Sequence, residues 1–170
     1  MKRKLIALMA TILFFEAAYL GVTRRNSFPT TEGAVYDMNP TSAFAIEQAM
    51  QQQNLTDAVS IFKQTNAVRE QQGLPPLTWD PELFMAGAIR AGELSILFSH
   101  TRPNGQPWYT ACNVMYGENL AQGFNNNTDI LVAWINSPTH LQNLLNPQYT
   151  KIGIGVVYLY GQKYVAQIFG

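Results

Sequence analysis

Apolar residues recur along this chain with two periods, and the change from one to the other divides it. From Thr41 to Gln53, the apolar positions Ala43, Ile46, Ala49 and Met50 follow helical spacing until a Gln run turns the segment polar, which predicts a short helix of its own. A second helix is expected from about Asp57 to Gln72, stopped by Gly73 and the Pro75-Pro76 pair. The third has the clearest start, with Asp80 as N-cap, Pro81 at the first helical position and Glu82 in the first turn, and it should run to about Phe98. Pro103-Asn104-Gly105 then makes a turn. A loop or short strand through Cys112 and Met115 leads to Gly117-Glu118-Asn119. A helix follows from Thr128, its expected N-cap, to Asn136, and Ile130, Leu131, Ala133, Trp134 and Ile135 leave it little polar face. Ser137-Pro138 opens a short helix that Asn146-Pro147 ends. The period then falls to two: Lys151 to Tyr160 and Lys163 to Phe169 read as antiparallel strands joined through Gly161-Gln162. Helices first and a terminal hairpin predict an α+β layer architecture.

Before all of this lies a different kind of segment. Lys2-Arg3-Lys4 precedes an unbroken apolar run from Leu5 to Phe15, the layout of an export signal. Two outcomes fit residues 1–25: a signal peptide cut after Ala18, or a retained anchor over residues 5–22 with the N-terminus inside, since positive charge is denser before the run than after it. Either places the body outside the cytoplasm, secreted, periplasmic or held at the outer face of a membrane. Residues 26–55 read as a linker with the short helix, and residues 56–170 as a single domain. The 170 residues, 47% of them apolar, suffice for one hydrophobic core. Formal net charge is zero, but five bases lie in the first 25 residues, which leaves six bases against ten acids beyond them. A body of that sign repels phosphate backbones, so nucleic acid is not an expected partner, and the membrane enters only through the N-terminal segment. Cys112 is the single cysteine, so no intrachain disulfide can form.

The chain has two histidines, and each stands at a helix boundary. His100 follows the third helix; His140 falls in the first turn of the helix opened by Ser137, where the helix dipole disfavours imidazolium and keeps the ring neutral. Neutral imidazole binds metal or accepts a proton. From spacing alone, two unrelated hydrogen-bonded surface histidines are the expectation. Glu118, flanked by Gly117 and Asn119, is a third candidate, and in isolation reads as a loop carboxylate or cap. The chain lacks a G-x-S-x-G elbow, an H-E-x-x-H helix, a phosphate-binding glycine loop and a cysteine pair for zinc. A Cys112 and histidine dyad stays open, although nothing cationic near Cys112 in sequence would lower its pKa.

Six stretches then stand in an informative order: Asn66-Ala67-Val68-Arg69, Gly73-Leu74-Pro75-Pro76-Leu77-Thr78-Trp79-Asp80, Phe98-Ser99-His100, Tyr116-Gly117-Glu118-Asn119-Leu120-Ala121, Trp134-Ile135-Asn136-Ser137-Pro138-Thr139-His140 and Ile152-Gly153-Ile154-Gly155. Together they resemble the bacterial branch of the CAP superfamily, the cysteine-rich secretory, antigen 5 and pathogenesis-related proteins with an SCP domain, over roughly residues 57–170. The resemblance implies a three-layer α-β-α sandwich with an antiparallel sheet, and a cleft with two His and two Glu able to hold a divalent metal such as zinc. His100, His140 and Glu118 match three of the four, with Asn119 beside them. The fourth position is Ser137, to which our reading assigns the N-cap of the His140 helix.

Two functions follow as expectations. One is a non-catalytic binding module for a lipid, an envelope polymer or a protein, suggested by the missing nucleophile and second carboxylate. The other is a weakly metal-dependent hydrolase in which His100 and His140 hold the metal and Glu118 acts as base on its water.

Overall fold

The computed structural model describes residues 40–170; the export segment of residues 1–25 and the linker up to residue 39 lie outside the described residues. None of the described helices is long and apolar enough to cross a membrane.

Helix α1 runs unbroken over Pro40–Gln71, where two helices were expected. The reason is local. No Gly or Pro interrupts residues 41–72, Gln and Ala are good helix formers, and the Gln run is tied down by i,i+4 bonds such as Gln51 to Glu47 and Gln53 to Asp57. Its second half buries a stripe of Ala58, Ile61, Thr65 and Arg69. Gly73, at φ +74°, ends it in a Schellman motif, with Leu74 N–H on Arg69 O and Gly73 N–H on Glu70 O. Strand β1 is Thr78–Trp79.

Helix α2, Pro81–Leu94, begins as expected: Asp80 Oδ1 accepts from the amides of Glu82 and Leu83 at 2.9 and 3.1 Å. It stops at Leu94, four residues before the expected end. A 3₁₀ turn at Trp108–Ala111 precedes strand β2, Gly117–Gln122, so Glu118 lies on a strand, not in a loop. Helix α3, Asn127–Ile135, is capped by Asn126, whose side chain accepts from the Asp129 amide; the expected cap, Thr128, is inside the helix. Helix α4 is Pro138–Leu144. Strands β3, Lys151–Leu159, and β4, Gln162–Phe169, are joined by Tyr160-Gly161 at φ 52° and 73°. This is one residue earlier than expected, because a two-residue I′ turn needs positive φ at both positions and Gly161 serves the second.

The sheet order is β1-β3-β4-β2. It is mixed, since β1 pairs parallel with β3 while β3–β4 and β4–β2 are antiparallel. The antiparallel sheet expected from the sequence is corrected by that one edge, a strand too short to show a period. The alternation along β3 and β4 makes three layers. Ile152, Ile154, Val156, Val165 and Phe169 pack with Ala58, Ile61, Ile130, Trp134 and Leu144 from α1, α3 and α4. Ala166 and Ile168 face the other way, onto Leu83, Ala86, Ala91 and Leu94 of α2. On that face Gly153 and Gly155 let α2 rest on the strand: a Cβ on either would overlap the helix backbone at Phe84 or Gly87. This seating fixes where Arg90, later in α2, enters the molecule.

Arg69 is fully buried and binds carbonyls instead of a carboxylate. Its guanidinium donates to Pro75 O, Leu144 O, Asn146 O and Tyr149 O at 2.9 to 3.3 Å, stitching α1 to both flanking loops, and burial pulls its pKa below the usual arginine value.

Candidate functional site

The site is built from the C-terminal end of α2, the segment after it, strand β2 and helix α4. On β2, side chains alternate: Leu120 joins the α2 layer and Ala121 the α3 and α4 layer, so Glu118 points to the α2 side and Asn119 to the other. Glu118 is nearly inaccessible, with 1% of its side chain exposed. Its carboxylate meets Arg90, also buried, whose Nε donates to Oε2 at 2.7 Å and Nη2 to Oε1 at 3.3 Å. His100 Nδ1 lies 2.8 Å from the same Oε1. Arg90 also donates to Ser99 O at 2.7 Å and to Glu93 Oε2 at 2.5 Å, and Glu93 in turn receives Arg102 at 2.6 and 2.9 Å. Four charges thus alternate in sign from Arg102 to Glu118 and hold the His100 segment against α2. Burial alone would lower the Arg90 pKa, but the Glu118 and Glu93 carboxylates, which accept its hydrogen bonds and oppose its charge, raise it above the usual arginine value.

His140 stands on α4, partly buried. Its pKa is lowered first by burial and then by repulsion from His100. The direction matches the expectation for His140, but its causes are desolvation and the second ring. Ser137 occupies the N-cap position with extended backbone, yet its side chain makes no cap hydrogen bond; Oγ lies 3.4 Å from Thr139 Oγ1. The carbonyl does the work, accepting from the Leu141 amide at 2.8 Å.

Asn119 departs from its expected place in the cleft. It is completely buried behind α4, donating to His140 O and Gln167 Oε1 and accepting from Asn143 Nδ2 at 2.9 Å. Gln167 continues the chain to Thr65 on α1 at 2.8 Å. Asn119 therefore positions the backbone that carries His140.

His140 and Ser137 line an open cleft of about 480 Å³ whose other walls include Phe98, Leu120, Phe124, Ala133 and Trp134, with Gln122 and Gln162 at polar positions. Trp134, in the helix expected to have little polar face, is 2% exposed and gives its indole N–H to Leu120 O at 2.9 Å. Phe98, on the cleft wall, is exposed, as are Ile96 and Leu97 before it. The sequence reading did not single out Arg90, Glu93 or these apolar walls. Arg90 had a signal: it shares the spacing of Leu83, Ala86 and Leu94 on the buried face of α2.

The donor set does not suit a metal held by His100, His140 and Glu118. Both Glu118 oxygens already accept hydrogens from Arg90, one of them facing His100 as well, and two imidazoles alone leave a tetrahedral site half-filled. Among the described residues no group of three or more His, Cys, Asp and Glu side chains is placed to hold a metal ion. A Cys112 and histidine dyad finds no support either. The half-buried thiol donates to Glu82 Oε1 at 3.4 Å, and burial pushes its pKa up.

Comparison with known proteins agrees with the architecture. The family model described as "CAP: Cysteine-rich secretory protein family" matches residues 62–169. A Bacillus subtilis protein, described as the uncharacterized protein YkwD, is 32% identical over 151 residues, 79% of this chain and 58% of its own length. An extracellular SCP-domain protein from Bacillus anthracis is 29% identical with a TM-score of 0.63, over 81% of this chain and 44% of that one. A cysteine-rich secretory protein from Staphylococcus aureus is 28% identical with a TM-score of 0.57, over 69% of this chain and 39% of that one. The chain thus spans about half the length of these relatives.

Proposed function

This chain belongs to the CAP family of cysteine-rich secretory proteins, and on that footing we propose that it is an exported, non-catalytic binding module for an amphipathic lipid of the cell envelope. One observation carries the reading: His140 lines the same open cleft as Phe98, Leu120, Phe124, Ala133 and Trp134. Apolar walls with a few convergent polar groups suit a ligand that has an apolar body and a polar head. The body lies against the aromatic and aliphatic walls, and the head meets His140 and Ser137.

Catalysis has less support from the same geometry. The carboxylate that would serve as general base is held by Arg90, and Ser137 and Cys112 hydrogen-bond to Thr139 and Glu82 instead of an imidazole. Export is supported by the basic and apolar order of residues 2–15 and by the extracellular Bacillus anthracis relative.

The test is mass spectrometry of lipids extracted from the exported protein and from its Ala133→Trp variant, which fills the cleft. The wild type should carry lipid that the variant has lost. Clean protein in both cases, or equal lipid in both, refutes the proposal.

A further inference from the structure

We infer that Arg90 and Glu118 are a positioning pair that fixes the proton of His100 on Nδ1, so that the exposed ring offers Nε2 as a hydrogen-bond acceptor two residues from the cleft wall at Phe98. This deepens the binding reading above, because it specifies the head group: a hydroxyl or N–H donor.

The argument starts from exposure. The His100 side chain is 55% exposed, and such a ring ordinarily turns freely and exchanges tautomers. Here it is held from below. Glu118 Oε1 lies 2.8 Å from Nδ1, and both carboxylate oxygens accept from the Arg90 guanidinium, the bonding pattern of a carboxylate that can only accept. Nδ1 must therefore supply the hydrogen. A histidine whose one nitrogen is bonded to a carboxylate has its tautomer and ring orientation set by that bond. Nε2, on the far side of the ring, makes no hydrogen bond among the described residues.

The pair is itself held firmly. Arg90 is 0% exposed, and its remaining donors grip Ser99 O, the residue before His100, and Glu93. Arg102, two residues after His100, closes on the same Glu93, and the Thr101 amide bonds to Ser99 Oγ at 2.9 Å. Backbone and ring of His100 are thus tied to α2 from both sides. Burying an Arg–carboxylate pair has a desolvation cost, and replacing it with apolar residues is often neutral or favourable for stability. Its presence beneath an exposed imidazole is accounted for by what it does to that imidazole.

The experiment is long-range ¹H–¹⁵N correlation of the histidine side chains in ¹⁵N-labelled exported protein without added ligand at pH 8.5, with His140 as internal comparison. His100 should show one protonated nitrogen at Nδ1 and one unprotonated nitrogen at Nε2. In Glu118→Gln, whose amide can accept or donate, both His100 nitrogens should shift toward the averaged position of exchanging tautomers. A proton on Nε2, averaged nitrogens or a doubly protonated ring in the wild type would each overturn the inference, as would an unchanged pattern in Glu118→Gln. If the variant does not fold, the wild-type spectrum decides alone. Failure of lipid binding with Nδ1 protonated overturns the proposed function and leaves this inference standing.

Discussion

Trp134→Ala removes the side chain that joins the core to the cleft, and its cost can be worked from what Trp134 touches. The residue is 2% exposed and packs in the layer of Ile130, Leu144, Ile154 and Val165. An aromatic of this size buries up to about 250 Å², which at about 25 cal/mol per Å² is about 6 kcal/mol for complete transfer. Alanine keeps the Cβ, and the open cleft on one side lets the site relax, so the loss falls below that full transfer, in the range for buried aromatics, about 3 to 5 kcal/mol. The 2.9 Å indole bond to Leu120 O is part of that total. Trp134→Phe isolates it, keeping most of the apolar bulk while leaving the carbonyl without its donor, for about 1 to 2 kcal/mol. Urea unfolding followed by far-ultraviolet circular dichroism gives both values, provided the slope of the transition is unchanged. A loss below about 1 kcal/mol in Trp134→Ala, or equal losses in the two variants, would refute the placement of α3 and its anchor.

Three further outcomes follow. Arg69→Lys should destabilise by at least about 2 kcal/mol in the same assay, because an ammonium cannot serve the four carbonyls that the planar guanidinium reaches. His140 has its folded pKa lowered beneath 6.5, so the unfolded chain binds the proton more readily; the stability from this group is complete above about pH 6.5 and falls as pH drops through its folded pKa. His140→Gln should flatten the fall in urea midpoint between pH 7.5 and 5 relative to wild type. Calorimetric titration with zinc should show a dissociation constant on the order of micromolar or weaker, and chelator should leave the melting temperature unchanged, since two imidazoles supply only two of four ligands.

Much of the architecture was legible because it rests on local rules. Asp80-Pro81, the Gly73 stop and the two-residue period of Lys151–Phe169 each settle backbone geometry within a few residues, and all three recur in the structure. What was not legible depends on partners distant in sequence. Thr78-Trp79 becomes a strand only by pairing with Lys151 and Ile152. The Gln run suggested a break because it lacks an apolar face, whereas helix propensity and i,i+4 side-chain bonds carry α1 through it. For the candidate site, the pairing of His100 with Glu118 was within reach once the CAP resemblance was noted. The role of Glu118 was not, since it depends on Arg90, 28 residues earlier and on another layer. Phe98, Phe124 and Ala133 form a wall only after three separate segments meet.

The binding claim is tested most directly by displacement of a neutral apolar dye from the exported protein by dodecanol and by dodecanoate, in the wild type and in Ala133→Trp. Dodecanol should displace the dye from the wild type at least about tenfold more effectively than dodecanoate, a difference of about 1.4 kcal/mol, because an acceptor imidazole favours a hydroxyl over an anion. Both should lose most of their effect in Ala133→Trp. Equal displacement in the two proteins, or no displacement from the wild type by either compound, would contradict the account.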